Sequence, residues 1–226
     1  ELRSLGISPD VLICRSEQEL PKDEKNKIAL FCSVPNNSVI SMHDVDTVYS
    51  IPVLLNKQKV DKTILSKLKI KTTNPKLNDW KRVIKAKLLP EREVNVSFVG
   101  KYTELKDSYK SINEALEHAG IKNKAQVNIN FVEAENITSK NIRKTLKNAD
   151  AVLVPGGFGE RGIEGMILAC KYARENDIPY LGICLGMQVA IIEYARNVLK
   201  LKDANSTEFN KDTKHPVIGL ITEWSD

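Results

Sequence analysis

Five consecutive residues, Gly182-Ile183-Cys184-Leu185-Gly186, set a thiol between two glycines where an apolar run passes into a helix-forming run. This small-x-nucleophile-x-small order is the form of a nucleophile elbow, a strained strand-to-helix turn that exposes a reactive side chain. The strain needs the flanking glycines. A helix opening at Leu185 or Gly186 puts its positive end beside Cys184 and favours the attacking thiolate. The Leu185 N–H is then one donor to a tetrahedral oxyanion. The upstream turn Gly156-Gly157-Phe158-Gly159 is the candidate for a second, because backbone without side chains can approach closely. A free cysteine is more commonly a small buried hydrophobe, and Cys14, Cys32 and Cys170 keep that reading. The glycine turn alone could also be a plain connection or a phosphate cradle, but no Gly-Lys-Ser/Thr follows it.

A cysteine nucleophile needs a base, normally a histidine oriented by a carboxylate. The chain has three histidines. His43 lies far upstream, and His118 falls near a predicted helix end, where capping suits it. His215 follows the nucleophile, but Pro216-Val217 supplies no carboxylate two residues on. The base is therefore expected to be missing from this chain. The cysteines show no CxxC pair or Cys/His ligand spacing, so neither a metal site nor a redox pair is expected.

The elements that must position these residues alternate. Strands are predicted at Val11–Cys14 and Val39–Ser41 around a helix at Glu24–Phe31, then a lysine-rich polar stretch from Asn56 to Arg92 contains a helix at Leu77–Leu88. Further on come strand Val94–Val99, helix Ser108–Ala119 closed by Gly120, strand Val127–Val132 and helix Ser139–Asn148. Strand Ala151–Val154, helix Ile163–Asn176, strand Tyr180–Ile183, helix Gly186–Val198 and strand Val217–Ile221 complete the order. Near-continuous apolar strands alternating with helices predict an α/β fold with a parallel sheet covered on both faces, and sites at the carboxyl ends of its strands.

With 226 residues, 42% hydrophobic and 28% charged, the chain has room for one large domain or two modest ones. The net charge of +5 is spread over scattered lysines, and no basic run interleaves with aromatics, so no nucleic-acid partner is expected. The apolar runs are far short of a membrane span, which predicts a cytoplasmic protein with no membrane contact. The chain lacks an initiating Met, opens on what reads as a helix tail and stops just after an apparent strand, so it reads as a piece cut at both ends.

The string Gly182 to Gln188 resembles the nucleophile motif of class I glutamine amidotransferases. Three other stretches are similar to the CTP synthase family: Gly100-Lys101-Tyr102-Thr103-Glu104-Leu105 with Asp107 to Ser111, Val154 to Gly159 with Arg161-Gly162, and Asn205-Ser206-Thr207-Glu208-Phe209. Pro9 to Ser16 and Lys27 to Cys32 resemble the end of that family's synthetase domain. The resemblance implies residues 1–70 as the C-terminal part of a P-loop-type amidoligase domain, 71–92 as linker and 93–226 as a truncated glutaminase domain of parallel-sheet type. It also implies ATP-dependent amination of UTP to CTP by a cytoplasmic homotetramer, with ammonia from L-glutamine, and with Mg2+ and activating GTP. Residue by residue, it implies Cys184 as nucleophile and Gly157, Leu185, Gly186, Met187, Gln188 and Glu208 as glutamine contacts, Glu208 suiting the α-ammonium group. Lys27 matches a UTP/CTP contact, Val45 an ATP contact, and Phe158 with Arg161 the GTP response. The phosphate loop, the magnesium-binding acids and the His-x-Glu pair of that family are not among these residues, so the piece by itself is expected to be inactive. The rivals are another glutaminase or cysteine hydrolase, and a non-catalytic scaffold for assembly or nucleotide sensing.

Overall fold

The structure is a computed structural model that describes residues 2–101 and 106–219. The chain divides into two compact units, Glu1–Pro90 and Glu91–Asp226.

In the first unit, β1 (Leu12–Ser16) and β2 (Val39–His43) pair in parallel, with Leu12 opposite Val39 and Ser16 opposite His43. Parallel partners require a crossover, which is α1 (Lys22–Cys32). Asp23 and Glu24 lie in its first turn, where the helix dipole favours anions, and Ser33 closes it in the left-handed conformation at φ 55°. Ala29 packs with Val34 and Val39 into a small core.

The lysine-rich stretch is more ordered than its composition suggested. It includes α3 (Val60–Lys67), and α2 (Ile51–Lys57), which carries a proline in its first turn, leads into it; neither helix was expected. Between them Gln58 imitates a strand neighbour: it accepts the Ser41 N–H at 2.9 Å and donates to the Ser41 carbonyl at 2.8 Å. Helix α4 (Asn78–Leu88) packs on α2 and on the single turn Val48–Ser50.

The second unit carries a four-stranded parallel sheet in the order β4-β3-β5-β6, made of β3 (Arg92–Gly100), β4 (Ala125–Glu133), β5 (Ala151–Val154) and β6 (Tyr180–Gly182). Side chains alternate as strand geometry demands. Val152 and Val154 point to one face, packed with residues of α7 (Ile163–Glu175) and α8 (Leu185–Asn197), while Leu153 joins Val96 and Phe98 on the other, under α5 (Lys110–Asn123). The chain order reverses between β3 and β5, and a crevice at such a switch point is where open parallel sheets bind ligands. A second, two-stranded sheet pairs β7 (Ala204–Ser206) with β8 (His215–Ile218) beside α8.

Two expectations are corrected here. Gly120 does not close α5: the helix runs on to Asn123 and stops at Lys124, left-handed at φ 53°. The glycine instead admits β4, since a Cβ there would lie 2.6 Å from the Ala125 carbonyl oxygen. The helix expected over Ser139–Asn148 shrinks to the single turn α6 (Ile142–Thr145). Asn141 bonds locally instead, accepting the Thr138 N–H at 2.8 Å and donating to the Asn136 carbonyl at 2.7 Å, which competes with an earlier helical start. The end of the strand expected at Val217–Ile221 lies outside the described residues.

Candidate active site

Cys184 is exposed at the junction of β6 and α8, with φ 53° and ψ −101°. A non-glycine residue rarely holds such a conformation, and roughly 1–3 kcal/mol of strain has to be overcome by its surroundings. The surroundings are visible. Ile183 donates its N–H to the Val154 carbonyl at 2.9 Å, Gly186 donates to Ile183 at 2.9 Å, and Tyr180 Oη donates to the Gly186 carbonyl at 2.8 Å. The glycines on either side are sites of backbone contact. A Cβ on Gly182 would sit 2.4 Å from the Gly186 carbonyl carbon, and one on Gly186 would sit 2.2 Å from the Val154 carbonyl oxygen. The left-handed strain falls on the cysteine itself, and the glycines let strand and helix close around it.

The helix behind the elbow is firmly seated. Glu193 of α8, 1% exposed, is held by Arg174 of α7 at 2.7–3.2 Å through three hydrogen bonds. Leu185, Val189 and Ile192 fill the core below. Cys170 lies in that core, and burial pushes its thiol up to about 12. It is buried, as its sequence context suggested.

The glycine turn and the elbow abut. The Cβ position of Gly156 lies 3.6 Å from Cys184 Cβ, and that of Gly157 lies 3.2 Å from Leu185 Cδ2. Leu185 is the first residue of α8, so its N–H has no intrahelical acceptor and is free to serve as an oxyanion donor. Phe158 projects from the turn, 87% exposed, and Arg161 pairs with Glu135, one of its bonds being 3.0 Å. Met187 is exposed, whereas Gly186 is buried and Gln188 half-buried. The Gln188 Oε1 atom is buried and, among the described residues, has no hydrogen-bond partner. It is an orphan acceptor one helical turn from the thiol.

Glu208 reaches the same turn from just after β7. Phe209 packs against the main core, the Glu208 N–H donates to Ser206 Oγ at 3.2 Å, and the carboxylate accepts the Gly159 N–H at 2.9 Å. Sequence reasoning gave no role to Lys101. It is 6% exposed, and its Nζ donates to the Phe158 carbonyl at 2.8 Å and the Gly159 carbonyl at 2.7 Å. Burial holds its ammonium below the usual lysine range, with Glu208 opposing that shift. The sequence signals were its place directly after the apolar run of β3 and within the Gly100 to Leu105 stretch, and neither marked a role.

His215 is not brought to the thiol. It pairs with Asp203 at 3.5 Å and lies opposite Ala204, whose carbonyl accepts from Arg196 in the last turn of α8. The 13-residue helix separates that end from Cys184 by about 20 Å. In the first unit, Lys27 is exposed on α1 and Val45 is half-buried just after β2.

Residues 104–220 match the family model for class-I glutamine amidotransferases, and residues 1–70 match that for the CTP synthase N-terminus. The chain is also similar to the solved glutaminase domain of Trypanosoma brucei CTPS with bound acivicin, at 43% identity and a TM-score of 0.55. That match covers 57% of this chain and 50% of the other, so the chain spans half the length of the protein it resembles. With the exposed cysteine on its strained elbow and the abutting glycine turn, the match over residues 104–220 places the chain in the class-I glutamine amidotransferase family, and its first 70 residues and the solved domain show its similarity to CTP synthases.

Proposed function

We propose that these residues serve a CTP synthase, in which glutamine is hydrolysed at Cys184 and the ammonia released aminates UTP to CTP at the expense of ATP. The observation that carries this reading is the contact between the Cys184 elbow and the Gly156-Gly157 turn in a chain that matches both family models.

The chemistry starts with attack of the Cys184 sulfur on the glutamine carboxamide carbon. The carbonyl π pair moves to oxygen, and backbone N–H groups at Leu185 and Gly157 receive that charge. Collapse of the intermediate, with the thiol proton passing to the amide nitrogen, expels ammonia and leaves a γ-glutamyl thioester, which water cleaves to glutamate and the free thiol. The orphan Gln188 Oε1 suits a donor such as a carboxamide N–H, and Glu208 suits the substrate α-ammonium through its second oxygen. Gly186 and Met187 complete the substrate contacts. Phe158 and Arg161 form the surface for GTP, Lys27 and Val45 contact UTP/CTP and ATP, and the working assembly is a cytoplasmic homotetramer. Among the described residues no group of three His, Cys, Asp or Glu side chains could hold a metal, so no step is assigned to Mg2+ here. No helix among them is long and apolar enough to cross a membrane.

In the full-length protein, Cys184→Ala abolishes glutamine-dependent CTP formation and spares formation from added ammonia. Loss of both activities in a folded variant refutes the two-site account. A glutamine-mimicking electrophile labels Cys184 in the wild type, and an unmodified thiol identifies an inert scaffold instead.

A further inference from the structure

The turn facing Cys184 has glycine at three of its four positions, 156, 157 and 159. Such a segment has little stiffness of its own, yet an oxyanion donor is effective only when its direction is set in advance. Its rigidity must come from outside. The Phe158–Gly159 peptide plane is gripped on both edges: its carbonyl accepts from Lys101 Nζ at 2.8 Å and its N–H donates to Glu208 at 2.9 Å. Because a peptide unit is planar, fixing both edges fixes its orientation. Lys101 holds the next plane as well, through the Gly159 carbonyl at 2.7 Å. The lysine is itself tethered, since Tyr109 Oη donates to the Lys101 carbonyl at 2.6 Å and the Tyr109 ring packs on Phe98 with centroids 4.7 Å apart.

Resting on the glutaminase reading above, we infer that Lys101 is a positioning residue for glutamine hydrolysis, its buried ammonium and the Glu208 carboxylate clamping the glycine turn so that its N–H groups meet the developing oxyanion. Lys101 touches neither thiol nor substrate and acts through the loop. A cation serves better here than a neutral donor because one compact group must satisfy two carbonyls at once.

The test compares two reagents on the full-length protein carrying Lys101→Met. Glutamate γ-semialdehyde accepts the Cys184 sulfur at its carbonyl carbon: an S–C bond forms, the C=O π bond opens, and the oxygen carries the charge or takes up the thiol proton. The stability of that adduct reports on the oxyanion site. Iodoacetamide is attacked at its methylene carbon, the C–I bond breaks and iodide leaves, so no oxyanion develops. Lys101→Met is expected to weaken semialdehyde inhibition by about 10- to 100-fold while iodoacetamide alkylation stays within about two-fold of wild type. Lys101→Arg, which keeps charge and donors, recovers part of the loss, and kcat for glutamine falls more than KM rises. Unchanged semialdehyde inhibition, or an equal loss toward both reagents, overturns the inference. If the wild type alkylates with iodoacetamide but ignores the semialdehyde, the glutaminase reading fails and takes the positioning role with it.

Discussion

Replacing Gly182 by alanine tests the elbow directly. The added methyl would stand 2.4 Å from the Gly186 carbonyl carbon, 2.5 Å from its oxygen and 2.7 Å from the Met187 nitrogen, where real Cβ atoms essentially never approach below 3.0 Å. All three are backbone atoms of the first turn of α8, so no side chain can swing aside. The helix start must therefore shift by at least about 0.6 Å, and by about 1 Å to restore ordinary contact, against the hold of Tyr180 on the Gly186 carbonyl. Overpacking of this kind costs roughly 1–3 kcal/mol, and a displacement near 1 Å at a reacting group costs about 100-fold in rate. Urea unfolding and glutamine-dependent ammonia release, measured on full-length Gly182→Ala, read the two effects separately. Gly157→Ala is the stability control, since its methyl meets a single atom, Leu185 Cδ2 at 3.2 Å, which needs to give by only a few tenths of an ångström, so it should cost less than Gly182→Ala. A Gly182→Ala protein with the wild-type urea midpoint and glutaminase rate would falsify the account of the elbow.

Cys184→Gly should be more stable than Cys184→Ala by about 1 kcal/mol, because only glycine accepts φ 53° without strain. Equal urea midpoints for the two variants would show that the turn is relaxed. Cys170 gives a pH signature. Burial raises its thiol to about 12 from an ordinary 9.0, so in alkali the unfolded chain gives up the proton first and stability falls as pH climbs from 9.0 toward about 12. About 1 kcal/mol should be lost between about pH 8 and about pH 10 on this account. Cys170→Ala, weaker throughout because of the cavity, should lose less over that interval, and equal losses in the two proteins would dismiss the thiol as the cause.

The strands were legible where apolar runs are continuous: Ala151–Val154 appears with the bounds its sequence suggested. The elbow was legible through its glycines, although their purpose was not, since a glycine that avoids strain and one that admits a neighbouring backbone look alike in a sequence. Gly120 shows the same ambiguity, reading as a helix stop and serving as a contact point for β4. Helix α3 was hidden by Lys62 and Lys67 at its exposed positions, while Val60, buried at its start, carries the inward signal. The Lys101 clamp was out of reach because its partners lie 57 and 58 residues downstream, and nothing local marks a lysine as buried. Glu208 was singled out for the substrate, yet its contact with Gly159, 49 residues away, appears only when the chain is folded.

The order β4-β3-β5-β6 also sets a timetable for synthesis. No two neighbours in this sheet can join by a hairpin, so each pairing waits for an intervening crossover, and such non-local closure is slow. β3 is made first, but the strand that covers its second edge arrives only at Ala151, and the Gly186 contact that seats the elbow comes later still. At translation speeds of about 5–20 residues per second, on the order of ten seconds separate the emergence of Gly100 from that of Gly186. Through that interval β3 has one edge without its β5 partner, and such an unpaired edge is prone to aggregation. The reactive thiol follows the last strand of this sheet, so its strained geometry can form only after β5 and the first turn of α8 have been made.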